Sequence, residues 1–193
     1  MKIILIHGNC GASISSQWFP WLKIQLESIG IEVIARDFPD RIFGRMRYWL
    51  PFLKDEIKPN EHSILIGHSS GGLVSLKYTE LNRVLGTVLI ATQLTDCGYK
   101  VERQSGFFDK QYRWDSIKQN QRWIIQFHSQ DDPWVPVSEG RKIHSLLNSE
   151  YHEMIDKKHF GNNQYPMTEF PELLDVIKKK LMGYHLDSGT PII

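Results

Sequence analysis

The sequence has few cysteines, no long apolar run and no excess of charge of either sign. Its two cysteines, Cys10 and Cys97, exclude a disulfide-built scaffold and a four-cysteine zinc site. They suit a reducing compartment, so we expect a cytoplasmic protein. With 23 Lys and Arg against 22 Asp and Glu, the net charge of +1 gives no reason to expect nucleic acid or an anionic membrane as a partner. No apolar run approaches the roughly 18 residues of a membrane span.

The composition is that of an ordinary globular domain. Hydrophobic residues make up 41% and charged residues 23% of the 193 positions, which excludes disordered and fibrous classes. The first residues are apolar and lead directly into Gly8 without the cleavage site of a signal peptide. We expect a single domain over residues 1–182. Residues 183–193 contain Gly, Ser and Pro without periodicity, and we expect a flexible tail there.

Short apolar runs alternate with amphipathic segments along the chain. Runs of Ile, Leu and Val are typical of parallel strands covered on both faces. They predict six strands, at Lys2–Ile6, Glu32–Ala35, Ser63–Gly67, Val84–Ala91, Trp123–His128 and Tyr151–Ile155. The alternation predicts a three-layer α/β sandwich with a mostly parallel sheet. For this sheet we expect the order 2-1-3-4-5-6, which places a switch point between the first and third strands. The aromatic segment Thr92–Asn120 does not fit the alternation, and it predicts either a small cap or a long connection.

Ser69 is the candidate nucleophile. It is the serine of a Gly-x-Ser-x-Gly pattern, between Gly67 and Gly71, with an apolar strand before it and an amphipathic helix after it. This setting is typical of a nucleophile elbow, a tight turn that presents a serine at the end of a sheet. The alternative is an ordinary strand-to-helix turn in which the serine caps the helix.

A serine nucleophile needs a base and an acid that orients the base, in the chain order Ser, acid, His. Of the eight histidines, His159 is the one that follows the last predicted strand and precedes the last helix, so it is the candidate base. Asp131 and Asp132 both follow the fifth predicted strand. We favour Asp132, because it lies in an Asp-x-x-Val-Pro turn stiffened by proline. Asp96 is a weaker candidate.

An oxyanion hole and a pocket should lie beside the nucleophile. The backbone N–H of Ser70 is one expected donor, and a donor from the glycine loop after the first strand is the other. Asn9 is favoured as this second donor and Cys10 is the alternative; as a thiol nucleophile, Cys10 lacks a neighbouring base. Histidines and cysteines show no zinc spacing, so we expect no metal and no cofactor. The residues expected to line the pocket are Cys10, Trp49, Phe107, Trp134 and Phe160.

These motifs resemble the α/β-hydrolase superfamily, and more narrowly the small serine hydrolases related to retinoblastoma-binding protein nine. The resemblance covers about Ile3 to Leu181. The segments that carry it are His7–Asn9, Trp49–Phe52, Gly67–Gly71, Ser105–Phe108, Trp114–Lys118, Asp131–Pro133 and His159–Phe160. It implies an α/β-hydrolase core with little or no lid and a triad of Ser69, Asp132 and His159. The expected activity is cleavage of a small ester, thioester or amide, with a small-molecule acyl substrate as the partner.

The sequence departs from the family pattern in two places. Lys157 and Lys158 precede His159, where family members often have glycine directly before the histidine. The retinoblastoma-pocket motif Leu-x-Cys-x-Glu is absent, so the binding function in the family's name is not transferred. The first departure leaves open an alternative function, a protein-binding module on a decayed hydrolase scaffold. The oligomeric state stays open.

Overall fold

The computed structural model describes residues 1–188, and side chains as far as Tyr184. The strands are β1 (Lys2–Ile6), β2 (Glu32–Ala35), β3 (Ser63–His68), β4 (Gly86–Ile90), β5 (Trp123–Ser129) and β6 (Glu150–Met154). The α-helices are α1 (Phe19–Glu27), α2 (Met46–Pro51), α3 (Ser70–Thr79), α4 (Lys100–Arg103), α5 (Trp114–Gln119), α6 (Val137–Leu147) and α7 (Pro171–Ser188). A π-helical stretch, Phe52–Ile57, continues α2 after Pro51.

The six strands form one parallel sheet in the order β2-β1-β3-β4-β5-β6, which confirms the predicted topology. In the centre of the sheet, Ile4 of β1 pairs with Ile34 of β2 and with Leu65 of β3. Strand β4 is shorter than expected. Val84 precedes it and donates its backbone N–H to the carbonyl of Asn120 rather than to a strand.

Alternate residues of each strand enter two separate cores, because successive side chains point to opposite faces of a sheet. Ile3 and Leu5 pack on one face, against α1 and α7. Ile4 and Ile6 pack on the other face, against α2, α3, α5 and α6. Since both faces are covered, the strands carry continuous apolar runs, and this explains why the sequence predicted them well.

The last helix extends further than the periodicity of the sequence indicates. α7 continues through Gly183 to Ser188, so the domain boundary expected at residue 183 falls inside a helix. Residues 189–193 of the expected tail lie outside the described residues. Within residues 1–188, no helix combines the length and the low polarity that a membrane crossing requires.

The sheet order fixes the position of the site. β1 lies between β2 and β3, so the chain leaves β1 and β3 toward opposite neighbours. A crevice opens at such a switch point, at the carboxyl ends of the strands. The glycine loop after β1 and Ser69 after β3 both lie there. The far edge strand, β6, carries Glu150, His152 and Glu153, which are partly exposed.

Candidate active site

Ser69 occupies the turn between β3 and α3 in a strained backbone conformation. Its φ of 53° and ψ of −122° lie outside the regions that non-glycine residues favour. Its backbone N–H donates to the carbonyl of Ile90 in β4, which anchors the turn to the sheet. The side chain of Ser69 reaches a cavity, whereas the side chain of the next residue, Ser70, is fully buried. These features are those of a nucleophile elbow.

The glycines of the motif are required by close packing of the backbone. A Cβ atom at Gly67 would lie 2.4 Å from the carbonyl oxygen of Gly71, and one at Gly71 would lie 2.4 Å from the carbonyl oxygen of Ile6. These contacts are too short for real atoms, so strand, turn and helix approach as closely as they do because both positions lack a side chain. Gly8 is also close, with its Cβ position 3.2 Å from Cβ of Ser69.

His159 lies beside Asp132 and in the same cavity as Ser69. Nδ1 of His159 is 2.7 Å from Oδ2 of Asp132, while Oδ1 of Asp132 accepts the backbone N–H groups of Trp134 and Val135 at 2.9 and 3.0 Å. Because a carboxylate only accepts, Nδ1 carries the proton and Nε2 is left free as a base. Within the described residues, Ser69 Oγ makes no hydrogen bond to His159. Unliganded catalytic pairs are often this loose.

Two ring N–H groups donate hydrogen bonds to backbone carbonyls of the loop that contains His159. Nε2 of His68 lies 2.7 Å from the carbonyl oxygen of His159, and since that oxygen only accepts, Nε2 carries the proton. Burial lowers the pKa of His68 to about 3, so this imidazole stays neutral. Nε1 of Trp18 donates to the carbonyl of Phe160 at 2.8 Å. The loop backbone is therefore fixed on both sides of the imidazole.

The glycine loop contains a backbone donor, the N–H of Asn9, that is not used by the protein's own hydrogen bonds within the described residues. The N–H of Cys10 donates to the carbonyl of Ile42 at 3.1 Å, whereas the N–H of Asn9 has no acceptor among the described residues. Nε2 of His7 accepts the N–H of Phe38 at 2.8 Å, so Nδ1 donates to the carbonyl of Gly8 at 2.6 Å. Burial lowers the pKa of His7 and keeps it neutral. In a trans peptide this bond turns the Asn9 N–H away from His7.

The cavity has a volume of about 500 Å³ and contains both candidate reacting groups. Cys10 and Trp134 line the cavity, and the Trp134 ring meets the His159 ring edge-on at 5.1 Å between centroids. The long segment between β4 and β5 forms one wall. The residues it contributes are Gln93, Tyr99, Val101 and Glu102.

Three aromatic residues predicted to line the cavity do not do so. Trp49, Phe107 and Phe160 are fully buried in the cores. The indole of Trp49 donates to the carbonyl of Pro39 and stands edge-on against His7. Phe160 has a φ of 56°, and its ring stacks on Phe170 beneath the loop. The sequence does not show which way each of these rings points.

Glu102 and Gln93 are cavity residues that the sequence did not identify. Glu102 is buried, and its carboxylate accepts from Asn9 Nδ2 at 2.6 Å and from Gln93 Nε2 at 2.9 Å. Burial raises the pKa of Glu102, whereas its two hydrogen bonds act to lower that pKa. Because Glu102 holds the Asn9 side chain, α4 supports the glycine loop after β1. No motif marks these residues, since they lie in a segment without periodicity.

The thiol nucleophile and the alternative acid gain no support from the site. Desolvation and then the charge of Glu102 raise the pKa of Cys10, the opposite of what a thiolate nucleophile needs. Asp96, the weaker candidate acid, pairs with Arg103 on the surface. Among residues 1–184, whose side chains the structure describes, no group of three or more His, Cys, Asp and Glu side chains is arranged to hold a metal ion.

Comparison with known proteins agrees with this geometry. The model of the serine hydrolase family matches residues 3–179. The rat protein named serine hydrolase RBBP9 is 36% identical over 182 residues, which cover 93% of this chain and 95% of the rat protein. The chain belongs to the serine hydrolase family. It is therefore an enzyme of the hydrolase class.

A bacterial relative supports the fold. YdeN of Bacillus subtilis is 28% identical over 184 residues, which cover 91% of this chain and 94% of YdeN. The crystal structure of the ydeN gene product superposes with a TM-score of 0.84, covering 94% of this chain and all of that one, at 22% identity. The chain thus has the α/β-hydrolase fold that its sequence predicts.

Proposed function

We propose that this serine hydrolase cleaves small esters, thioesters or amides through an acyl-enzyme formed on Ser69. The observation that carries the proposal is the 2.7 Å hydrogen bond between Asp132 and His159, in a cavity that His159 shares with the strained Ser69. This bond also argues against a binding module on a decayed scaffold. Such a scaffold has no need of a buried carboxylate that orients an imidazole.

The proposed reaction begins when Nε2 of His159 takes the proton of Ser69 as Oγ attacks the acyl carbonyl. Asp132 holds the imidazole in the tautomer that leaves Nε2 free and stabilises the imidazolium that forms. The imidazolium then gives its proton to the leaving alcohol, thiol or amine. Water, deprotonated by His159, hydrolyses the acyl-enzyme and restores the free serine.

The oxyanion is proposed to bind two backbone N–H groups. One belongs to Ser70, in the first turn of α3, where N–H groups have no acceptor within the helix. The other belongs to Asn9, whose N–H is directed by the bond between His7 and Gly8. Both donors are rigid, so they can stabilise developing charge without reorganising during the reaction.

Labelling with a fluorophosphonate tests this function without a known substrate. We expect a stoichiometric adduct on the peptide that contains Ser69, located by tandem mass spectrometry, and no labelling of Ser69→Ala. Ser70→Ala is the matched control and should still react. An adduct on another residue, or an unreactive wild-type enzyme, would reject the assignment.

Two free cysteines, Cys10 and Cys97, support a cytoplasmic location as part of the same proposal.

A further inference from the structure

Two adjacent aspartates in the loop after β5 bind two adjacent residues of the histidine loop. Asp132 binds His159, and Asp131 binds Lys158 in two ways. Oδ2 of Asp131 forms an ion pair with Nζ of Lys158 at 2.7 Å, and Oδ1 accepts the Lys158 backbone N–H at 3.2 Å. Asp131 therefore holds both the side chain and the backbone of the residue that directly precedes the proposed base.

The same carboxylate is tied to the end of the sheet. Ser129, the last residue of β5, is buried and donates its Oγ–H to Oδ1 of Asp131 at 2.5 Å. Its Oγ also accepts the backbone N–H of Lys157 at 3.2 Å. Lys158 and then Ser129 lower the pKa of Asp131 to about 2, so the carboxylate is ionised wherever the enzyme is expected to work.

Lys158 has a backbone conformation that favours glycine. Its φ is 49°, and Asp156 and Phe160 in the same loop have φ values of 59° and 56°. Non-glycine residues adopt such values at a cost and persist there when their surroundings hold them. Lysine is thus less favourable than glycine for the backbone, but it provides the charged group that Asp131 binds.

We propose that the Asp131–Lys158 pair is a positioning element that fixes the histidine loop, so that the imidazole of His159 stays between Asp132 and Ser69. The proposal rests on the proposed function. Neither Asp131 nor Lys158 lines the cavity, so neither touches substrate. A partly exposed ion pair contributes little to overall stability, and its effect is therefore expected in turnover rather than in folding.

Lysine substitutions test the pair directly. Lys158→Met removes the charge and keeps the length, and it should lower kcat for p-nitrophenyl acetate about tenfold, a small part of the loss that misplacement of a reacting group can cause. KM should stay within about twofold. Lys158→Arg should restore kcat. Lys118→Met, which breaks the exposed Lys118–Asp115 pair on α5, is the matched control and should have no effect. All rates are divided by the active sites titrated with fluorophosphonate.

A double-mutant cycle tests whether the two residues act together. Asp131→Asn should lower kcat by a similar factor to Lys158→Met. The double variant should be no slower than the slower single variant, because both changes remove the same interaction. Additive losses would mean that the two residues act separately, and this would overturn the proposal.

Hydrogen–deuterium exchange gives a readout that does not depend on catalysis. Backbone amides of residues 156–161 should exchange faster in Lys158→Met and Asp131→Asn, but not in Lys158→Arg or Lys118→Met. If either the exchange rate or kcat is unchanged in both charge-removing variants, the proposal is wrong. Failure of the proposed function has a different signature, since the wild-type enzyme would then not label at Ser69 whatever the exchange of this loop.

Discussion

The indole N–H of Trp18 donates a hydrogen bond to the carbonyl oxygen of Phe160 at 2.8 Å, across 142 residues of sequence. Trp18 directly precedes α1, and Phe160 directly follows the proposed base. Both side chains are fully buried. The bond therefore joins the histidine loop to the core beneath the sheet, and the position of His159 depends on that core as well as on Asp132.

We expect Trp18→Phe to lower the free energy of unfolding by about 1–3 kcal/mol, because it leaves the buried carbonyl of Phe160 without a donor. Trp21→Phe is the matched control. Trp21 is partly buried, and its indole makes no hydrogen bond within the described residues. Urea denaturation of both variants measures the difference. Equal losses would show that the hydrogen bond contributes nothing beyond the packing of the ring.

We expect Asp132→Asn to lower kcat by about 10⁴, because asparagine no longer fixes the tautomer and orientation of His159. The neighbouring change, Asp131→Asn, keeps the His159 partner and should cost far less. Steady-state kinetics on a p-nitrophenyl ester, corrected for titrated active sites, compares the two. A larger loss for Asp131→Asn would mean that the roles of the two aspartates are reversed.

The buried His128 should make stability depend on pH. Burial lowers its pKa from 6.5 to about 4, so the folded protein keeps it neutral. Between these values the unfolded chain binds a proton that the folded chain does not, and stability falls as pH falls. One proton corresponds to about 1.4 kcal/mol per pH unit. Above pH 6.5 this contribution is fully present.

His128→Phe keeps a ring against Gly140 and removes the titrating group. Urea denaturation at several pH values should show a shallower loss of stability for the variant than for the wild type as pH falls below 6.5. His62→Phe, a change of an exposed histidine, is the matched control. Identical pH profiles for wild type and His128→Phe would contradict the prediction. His68 remains in every variant and contributes in the same direction.

The cavity size predicts a preference for short acyl groups. About 500 Å³ is enough for a small ligand but not for a long extended chain. Trp134 provides an apolar wall, and such a wall discriminates by only about 1–3 kcal/mol per methylene. We expect kcat/KM to be highest at the short end of a p-nitrophenyl ester series from acetate to palmitate. A steady rise out to palmitate would indicate a long acyl channel.

The fold was predictable because its strands are buried on both faces. Continuous apolar runs such as Ile3–Ile6 mark such strands clearly, and the alternation of strands and helices indicates that the strands are parallel. Residues of the candidate site could be predicted where they follow the end of a strand. Ser69, Asp132 and His159 each follow a strand, and the structure brings them to one edge of the sheet. Their catalytic roles remain predictions.

The rest of the site was not predictable because it depends on side-chain direction and on irregular backbone. The positive φ of Phe160 turns its ring into the core, which nothing in the neighbouring residues indicates. Glu102 reaches the cavity from a four-residue helix with no amphipathic pattern. The sequence did mark Lys158 as unusual, but its ion pair with Asp131 depends on the distance between two loops.

The polar side chains of the edge strand β6 affect how readily the protein aggregates at high concentration. The edge strand of an open sheet has unpaired backbone N–H and C=O groups. An apolar edge strand can therefore pair with a strand of a second molecule. Here Glu150 pairs with Lys180, and Glu153 pairs with Arg141, so the strand presents charged groups. Joining two such edges would remove these charged groups from water, which is unfavourable. The same strand that positions the histidine loop thus protects the protein from aggregation through its sheet.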